Sequence, residues 1–247
     1  MTSLVVRFRS TLAFFLKRDE VMNELHPQEF PHWVRGASHF NLVDTRERRV
    51  IRFEAQRCIV RAEGQESIAQ FEKCVAMALD MLTKFEVFDI FAMRLESIQA
   101  KPAKRLSEAR SRFAERFLNS DALRILPYDE NTDYGVSLQR REELDANFQT
   151  VGGKIKRRSL VSTTHIFLGP VEGNEIRQRW LEFKEDSNND LYQTKPRVPD
   201  AAQVIGTQMS IVPKRSVKQV APDTLQAFIP WAIGHAEGAW NSTLGSA

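Results

Sequence analysis

Arg49-Val50-Ile51-Arg52-Phe53-Glu54-Ala55-Gln56-Arg57-Cys58-Ile59-Val60 decides the fold class. Val50–Ala55 has the period-two pattern of a strand, Ile51 and Phe53 alternating with Arg52 and Glu54. Arg57–Ala62 is a second short apolar run, and the two together read as part of an antiparallel meander. Working toward the N-terminus, Asp44-Thr45-Arg46-Glu47-Arg48-Arg49 is a polar turn and His39–Val43 a third strand. Toward the C-terminus, Gly64 closes the sheet section. A helix follows from Glu66 to Lys84, with Ile68, Phe71, Val75, Ala78, Leu79 and Leu82 at helical spacing.

The flanks extend the same alternation of elements. Val6-Arg7-Phe8-Arg9 alternates as a strand, although the first eighteen residues superficially resemble a signal peptide. Arg7 and Arg9 break the apolar stretch, and no small-residue cleavage site follows. Lys17–Leu25 reads as a short helix capped by Asp19 and ended by Pro27 and Pro31. Phe88–Ala100 is a long strand, after which Pro102 opens a helix over Ala103–Leu118 with Leu106, Ala109, Phe113 and Phe117 on one face. Pro127–Asp133 is the clearest boundary in the chain. Beyond it, Tyr134–Arg140, Phe148–Gln149, Lys154–Leu168 and Val204–Val212 are strand-like, and Glu175–Phe183 is a short helix. Glu185–Asp200 is irregular and polar, and Pro222 starts a final helix reaching Trp240.

Both halves run strands, helix, strand, helix. The expected fold is α+β: two similar lobes, 1–126 and 127–247, each an antiparallel sheet with helices packed on one face, related by internal duplication. A hydrophobic fraction of 42% and a charged fraction of 27% suit a globular chain of 247 residues and exclude wholesale disorder. The longest apolar run, Thr11-Leu12-Ala13-Phe14-Phe15-Leu16, is far shorter than a bilayer requires. Cys58 and Cys74 lie in apolar surroundings without CxxC spacing, so they read as reduced core thiols and place the chain in the cytoplasm. The net charge of +3 divides as +4 over residues 1–125 and −1 over the remainder, and 16 of the 21 basic residues in the first part are Arg.

No linear motif supplies chemistry. His26, His32 and His39 have no Glu or Cys at metal-ligand spacing, and HExxH and GxSxG are both absent. Gly152-Gly153-Lys154 lacks the rest of a phosphate loop. Asp186–Asp190 begins like a calcium loop but has Leu191 where glycine is needed and Arg197 where glutamate is needed. Glu182-Phe183-Lys184 has the spacing of a nuclease acid and lysine, but it falls at a helix end. No metal and no cofactor is expected.

Two positive signals remain. Lys154, Lys156 and Arg158, with Arg157, form a basic strand on which alternate cations recur at about 7 Å, close to the repeat of an extended phosphate backbone. Arg46, Arg48 and Arg49 on the polar turn would assist it. The final helix carries a broad apolar stripe, of which Phe228, Trp231, His235 and Trp240 are the candidate partner-facing residues.

The Arg49–Val60 run, the helix Ile68–Leu82, the strand Phe88–Ala100 and the step from Met209–Val212 into Leu225–Trp240 together resemble, in layout, a sporadically distributed, uncharacterised bacterial protein family of similar length. The resemblance covers most of the chain, and it implies no activity, cofactor or catalytic residue. Its patchy distribution suits mobile-element or defence cargo. The expected function is therefore a non-catalytic binding or assembly subunit of a bacterial cytoplasmic complex, with a protein partner or self-association. The alternative is nucleic-acid binding by the basic strand. The second alternative is an enzyme whose site is assembled from sequence-distant residues around His165 or His235.

Overall fold

The computed structural model describes residues 2–63, 67–87, 90–118, 135–149, 155–172, 174–175, 200–213, 232–234, 237–238 and 241. Helices and antiparallel ladders are mixed along the chain, an α+β arrangement. The strands are β1 (Thr2–Phe8), β2 (His32–Arg35), β3 (His39–Asp44), β4 (Arg49–Glu54), β5 (Arg57–Ala62), β6 (Ile90–Ala103), β7 (Val136–Gln149), β8 (Ile155–Glu172) and β9 (Ala201–Pro213). The helices are α1 (Leu12–Glu29), α2 (Ser67–Lys84) and α3 (Leu106–Phe117). Hydrogen bonding orders the strands β2-β3-β4-β5-β1-β6-β9-β8-β7 in one sheet.

The residues group into two units, each drawn from three stretches of chain. The first comprises Met1–Ser97, Arg140–Thr164 and Gln208–Glu237; the second comprises Ile98–Gln139, His165–Thr207 and Gly238–Ala247. The boundary expected at Pro127–Asp133 lies outside the described residues.

In the first unit the ladders β2–β3, β3–β4, β4–β5, β5–β1 and β1–β6 are all antiparallel. The turn between β3 and β4 has Arg48 at φ 53. It is held by Asp44, whose Oδ1 accepts the backbone N–H groups of Arg46 and Glu47 at 3.0 and 3.1 Å. Because β strands present alternate residues to opposite faces, register fixes the core: Leu4 opposes Val60, Val6 opposes Cys58, Leu42 opposes Ile51 and Phe40 opposes Phe53. α1 and α2 cover this face with Phe14, Val21, Met22, Phe71, Cys74, Ala78 and Met81, all buried. Phe14, Phe40, Phe53 and Phe85 form one aromatic cluster, Phe85 meeting the other three edge-on at 5.3–6.0 Å.

The second unit is smaller in described core. Phe113 and Leu168 are buried with Phe117, Leu118, Val136 and Ile166 packed around them, and Val171 and Ala202 pack with Ile98 and Phe167. Among the described residues no helix is long and apolar enough to cross a membrane.

Several elements differ from the sequence reading. α1 starts at Leu12 instead of Lys17, because Thr11 Oγ1 caps it by accepting the Phe14 N–H at 3.3 Å, and Asp19 sits mid-helix, ion-paired to Arg35 at 3.0 Å. Pro27 lies in its last turns and the chain leaves the helix at Phe30. Pro102 belongs to the end of β6, and α3 begins at Leu106. There Glu108 reaches back to accept the Lys104 N–H at 2.9 Å, taking a cap's place where Arg105 offers no side-chain acceptor. β7 is one continuous strand where two short ones were expected. β4 is buried on both faces, Arg52 included, although alternation implied one wet face.

Candidate functional site

The face of the first unit's sheet turned away from α1 and α2 is lined by arginine. Since Val6 and Phe8, Ile51 and Phe53, Cys58 and Val60, and Met93 and Leu95 all enter the helix-side core, the intervening Arg7, Arg52, Arg57, Arg61 and Arg94 occupy the other face. Register brings them together. Arg7 stands directly opposite Arg57 on β5, and on β6 it opposes Ala92, two residues from Arg94, which makes Arg94 its diagonal neighbour.

These arginines are in two different states. Toward β4 and β5 they are paired, with Arg52 and Arg61 buried and Arg57 half-buried: Arg52 Nε lies 2.7 Å from Glu54, Arg57 forks onto both Glu54 oxygens, and Arg61 Nη2 lies 2.7 Å from Glu63. Burial alone would raise the Glu54 carboxyl, but the Arg57 hydrogen bond and the Arg52 charge outweigh it and hold the group below its usual range. Arg52 Nη1 remains buried without a hydrogen-bond partner. Toward β1 and β6 the face opens. Arg7 and Arg94 are exposed, and neither makes an ion pair or hydrogen bond with another described residue. Phe91, 45% exposed, sits at the irregularity in the β1–β6 register beside Phe8.

A second surface belongs to α1. Ala13 and Phe14 enter the core, while Leu12, Phe15 and Leu16 face outward at 73%, 47% and 74% exposure. Positions i, i+3 and i+4 are neighbours on a helix, so these three form one apolar stripe. In sequence the apolar run Thr11–Leu16 points only to a membrane span, for which it is too short, or to a signal peptide, for which Arg7 and Arg9 and the lack of a cleavage site disqualify it. Its lack of a single stripe was the missed signal, since a helix apolar on two sides has two surfaces to bury.

No protein-family model and no curated protein matches the chain.

The residues singled out from sequence fall in several places. Arg46 is exposed on the β3–β4 turn. Arg48 pairs with Glu63 at 3.5 Å. Arg49 is not presented on that turn. It is buried, with Nε and Nη2 donating to Asp44 Oδ2 at 3.2 and 3.1 Å and Nη2 also donating to the Glu29 carbonyl at 2.9 Å. Its guanidinium lies 5.0 Å over the Phe30 ring, so it ties the end of α1 to the sheet. Lys156, Arg157 and Arg158 lie on β8, with their side chains outside the described set. Lys154, Phe228, Trp231, His235 and Trp240 lie outside the described residues altogether. Of the final helix, Ala232 and Ile233 are buried in the first unit's core.

The chemistry considered for histidine and cysteine can also be placed. His165 on β8 meets Ser137 of β7 at 2.6 Å, Nε2 to Oγ, with both residues exposed. A nucleophile and base in that contact still need a group orienting the other ring nitrogen, and His165 makes no second hydrogen bond with a described residue. His39 is held below its ordinary 6.5 by burial and by the Arg52 charge. Both thiols are buried; burial pushes Cys58 well above its ordinary value and Cys74 up to about 11, although the Arg49 charge pulls Cys74 the other way. Thiolate chemistry at neutral pH is disfavoured at both. Among the described residues no group of three or more His, Cys, Asp or Glu could hold a metal ion.

Proposed function

We propose that the protein is a non-catalytic binding or assembly subunit of a bacterial cytoplasmic complex, and that α1 is its docking surface. The observation that carries this is the outward stripe Leu12, Phe15 and Leu16 on a helix whose other side already fills the core. Covering a large apolar side chain releases about 1.5–3 kcal/mol, so the three together supply several kcal/mol, which offsets much of the lower range of association costs. Asp19, Glu20 and Asn23, exposed farther along α1, form a polar rim of the kind that surrounds interface cores. The duplication of halves 1–126 and 127–247 and the association with mobile elements or defence belong to this proposal and rest on element order and on the family resemblance.

The test is light scattering and co-purification with the paired substitution Phe15→Glu and Leu16→Glu. Both side chains are exposed, so the melting temperature should be unchanged. The wild-type protein should run above its 28.4 kDa chain mass or carry a bound protein, and the variant should lose that association. An unchanged assembly in the variant would refute the reading. The nucleic-acid alternative keeps one supporting observation, that Lys156, Arg157 and Arg158 lie on a strand. It requires binding to an oligonucleotide that weakens steeply with salt.

A further inference from the structure

We propose that the open end of the arginine face, Arg7 and Arg94 with Phe91, is a second docking site that takes an acidic polypeptide segment of a partner. The inference is independent of α1, which covers the opposite face of the same sheet.

Three arginines stand on adjacent strands, Arg57 opposite Arg7 and Arg94 diagonal to it. Like charges at such positions repel, and a sheet normally interleaves them with carboxylates. That is what happens at the closed end, where Glu54 takes Arg52 and Arg57 and Glu63 takes Arg61. The compensation stops at β5. Arg7 and Arg94 are exposed and make no ion pair with a described residue, Arg94 included although Glu96 lies two residues beyond it on the same face. A carboxylate placed between them would accept from two planar forks at once, in the bidentate manner arginine favours.

The surroundings argue for a polypeptide in preference to nucleic acid. Two unpaired arginines supply few of the phosphate contacts that sequence-independent nucleic-acid binding accumulates. Phe91, exposed at the register shift three residues before Arg94 on β6, adds apolar area close in sequence to the arginine, a combination enriched in protein interfaces.

The experiment measures fluorescence anisotropy of a labelled oligoglutamate peptide, and separately of labelled oligothymidylate, at low salt. Three variants are compared with the wild type: Arg7→Gln with Arg94→Gln; Lys17→Gln with Lys73→Gln, which removes the same charge from the helices; and Phe15→Glu with Leu16→Glu. The peptide should bind the wild type, weaken by about tenfold or more when both arginines are replaced, and bind the two helix variants within about twofold of wild type. Circular dichroism should show all variants folded. Failure of the wild type to bind the peptide would overturn the proposal, as would equal weakening by the lysine pair or tighter binding of oligothymidylate. Since the α1 variant tests assembly separately, either reading can fail while the other stands.

Discussion

The Asp44 carboxylate holds both the β3–β4 turn and the buried Arg49 guanidinium, and replacing it gives a sharp stability prediction. Its Oδ1 holds the Arg46 and Glu47 N–H groups, and its Oδ2 takes both the Nε and the Nη2 of Arg49. Each side chain of the pair is 8% exposed. Asp44→Ala strands a buried guanidinium, at a cost of about 3–5 kcal/mol, and frees two turn donors that water satisfies only in part. The expected loss is about 4 kcal/mol, or roughly 8–16 °C in melting temperature for a chain of this size. Asp44→Asn keeps the turn acceptor and loses the charge, so it should cost about half as much. Adding Arg49→Met to Asp44→Asn should recover part of that loss, because the orphaned charge leaves with its partner. Urea unfolding followed by circular dichroism supplies the numbers, with the m-value checking that the transition keeps its character. A loss under about 1 kcal/mol for Asp44→Ala would refute the reasoning, since it would mean that water reaches Arg49.

Other outcomes follow from the same structure. Phe85→Ala removes the ring that meets Phe14, Phe40 and Phe53, and should cost about 3–5 kcal/mol by urea unfolding. Both thiols should resist a disulfide reagent at pH 8 in the folded protein, and both should react once guanidinium unfolds it. Folding keeps the proton on Cys74, so the stability it contributes is complete below its ordinary 9.0 and is lost as pH rises toward about 11; Cys74→Ala should flatten that alkaline limb. His39 behaves oppositely. Its folded value lies below 6.5, so its contribution is present above that pH and disappears on acidification, and His39→Gln should reduce the acid sensitivity of the melting temperature.

Local pattern was enough for much of the sheet. β3, β4, β5 and α2 were legible to within a residue or so, because each carries a complete period of its own and a polar turn or a glycine marks its ends. α1 was legible only in its second half. There one face is wet and the stripe shows, whereas the Leu12–Leu16 turns are apolar on both sides and show no period. β6 and α3 were misdivided at Pro102 because a proline opens helices more often than it ends strands. Of the predicted site residues, Arg49 was misread as a surface cation. Its neighbours Arg46 and Arg48 are near the surface, and only the pairing of β3 with β4 turns position 49 inward against Asp44.

The sequence by itself determined the elements from β3 to α2, the apolar stripe of α2 and the absence of the linear motifs sought, since these depend on the spacing of residues near one another along the chain; β2 was not legible in it. Tertiary structure alone decided which arginines are spent and which are available. Glu54 stands three residues before Arg57 across the β4–β5 turn, but Arg94 has Glu96 at the same two-residue spacing as Arg52 and Glu54 or Arg61 and Glu63 and makes no ion pair with it, a difference that local sequence does not show. Arg7, Arg57 and Arg94 become neighbours only through register across β5, β1 and β6, and register is set by which apolar faces pair.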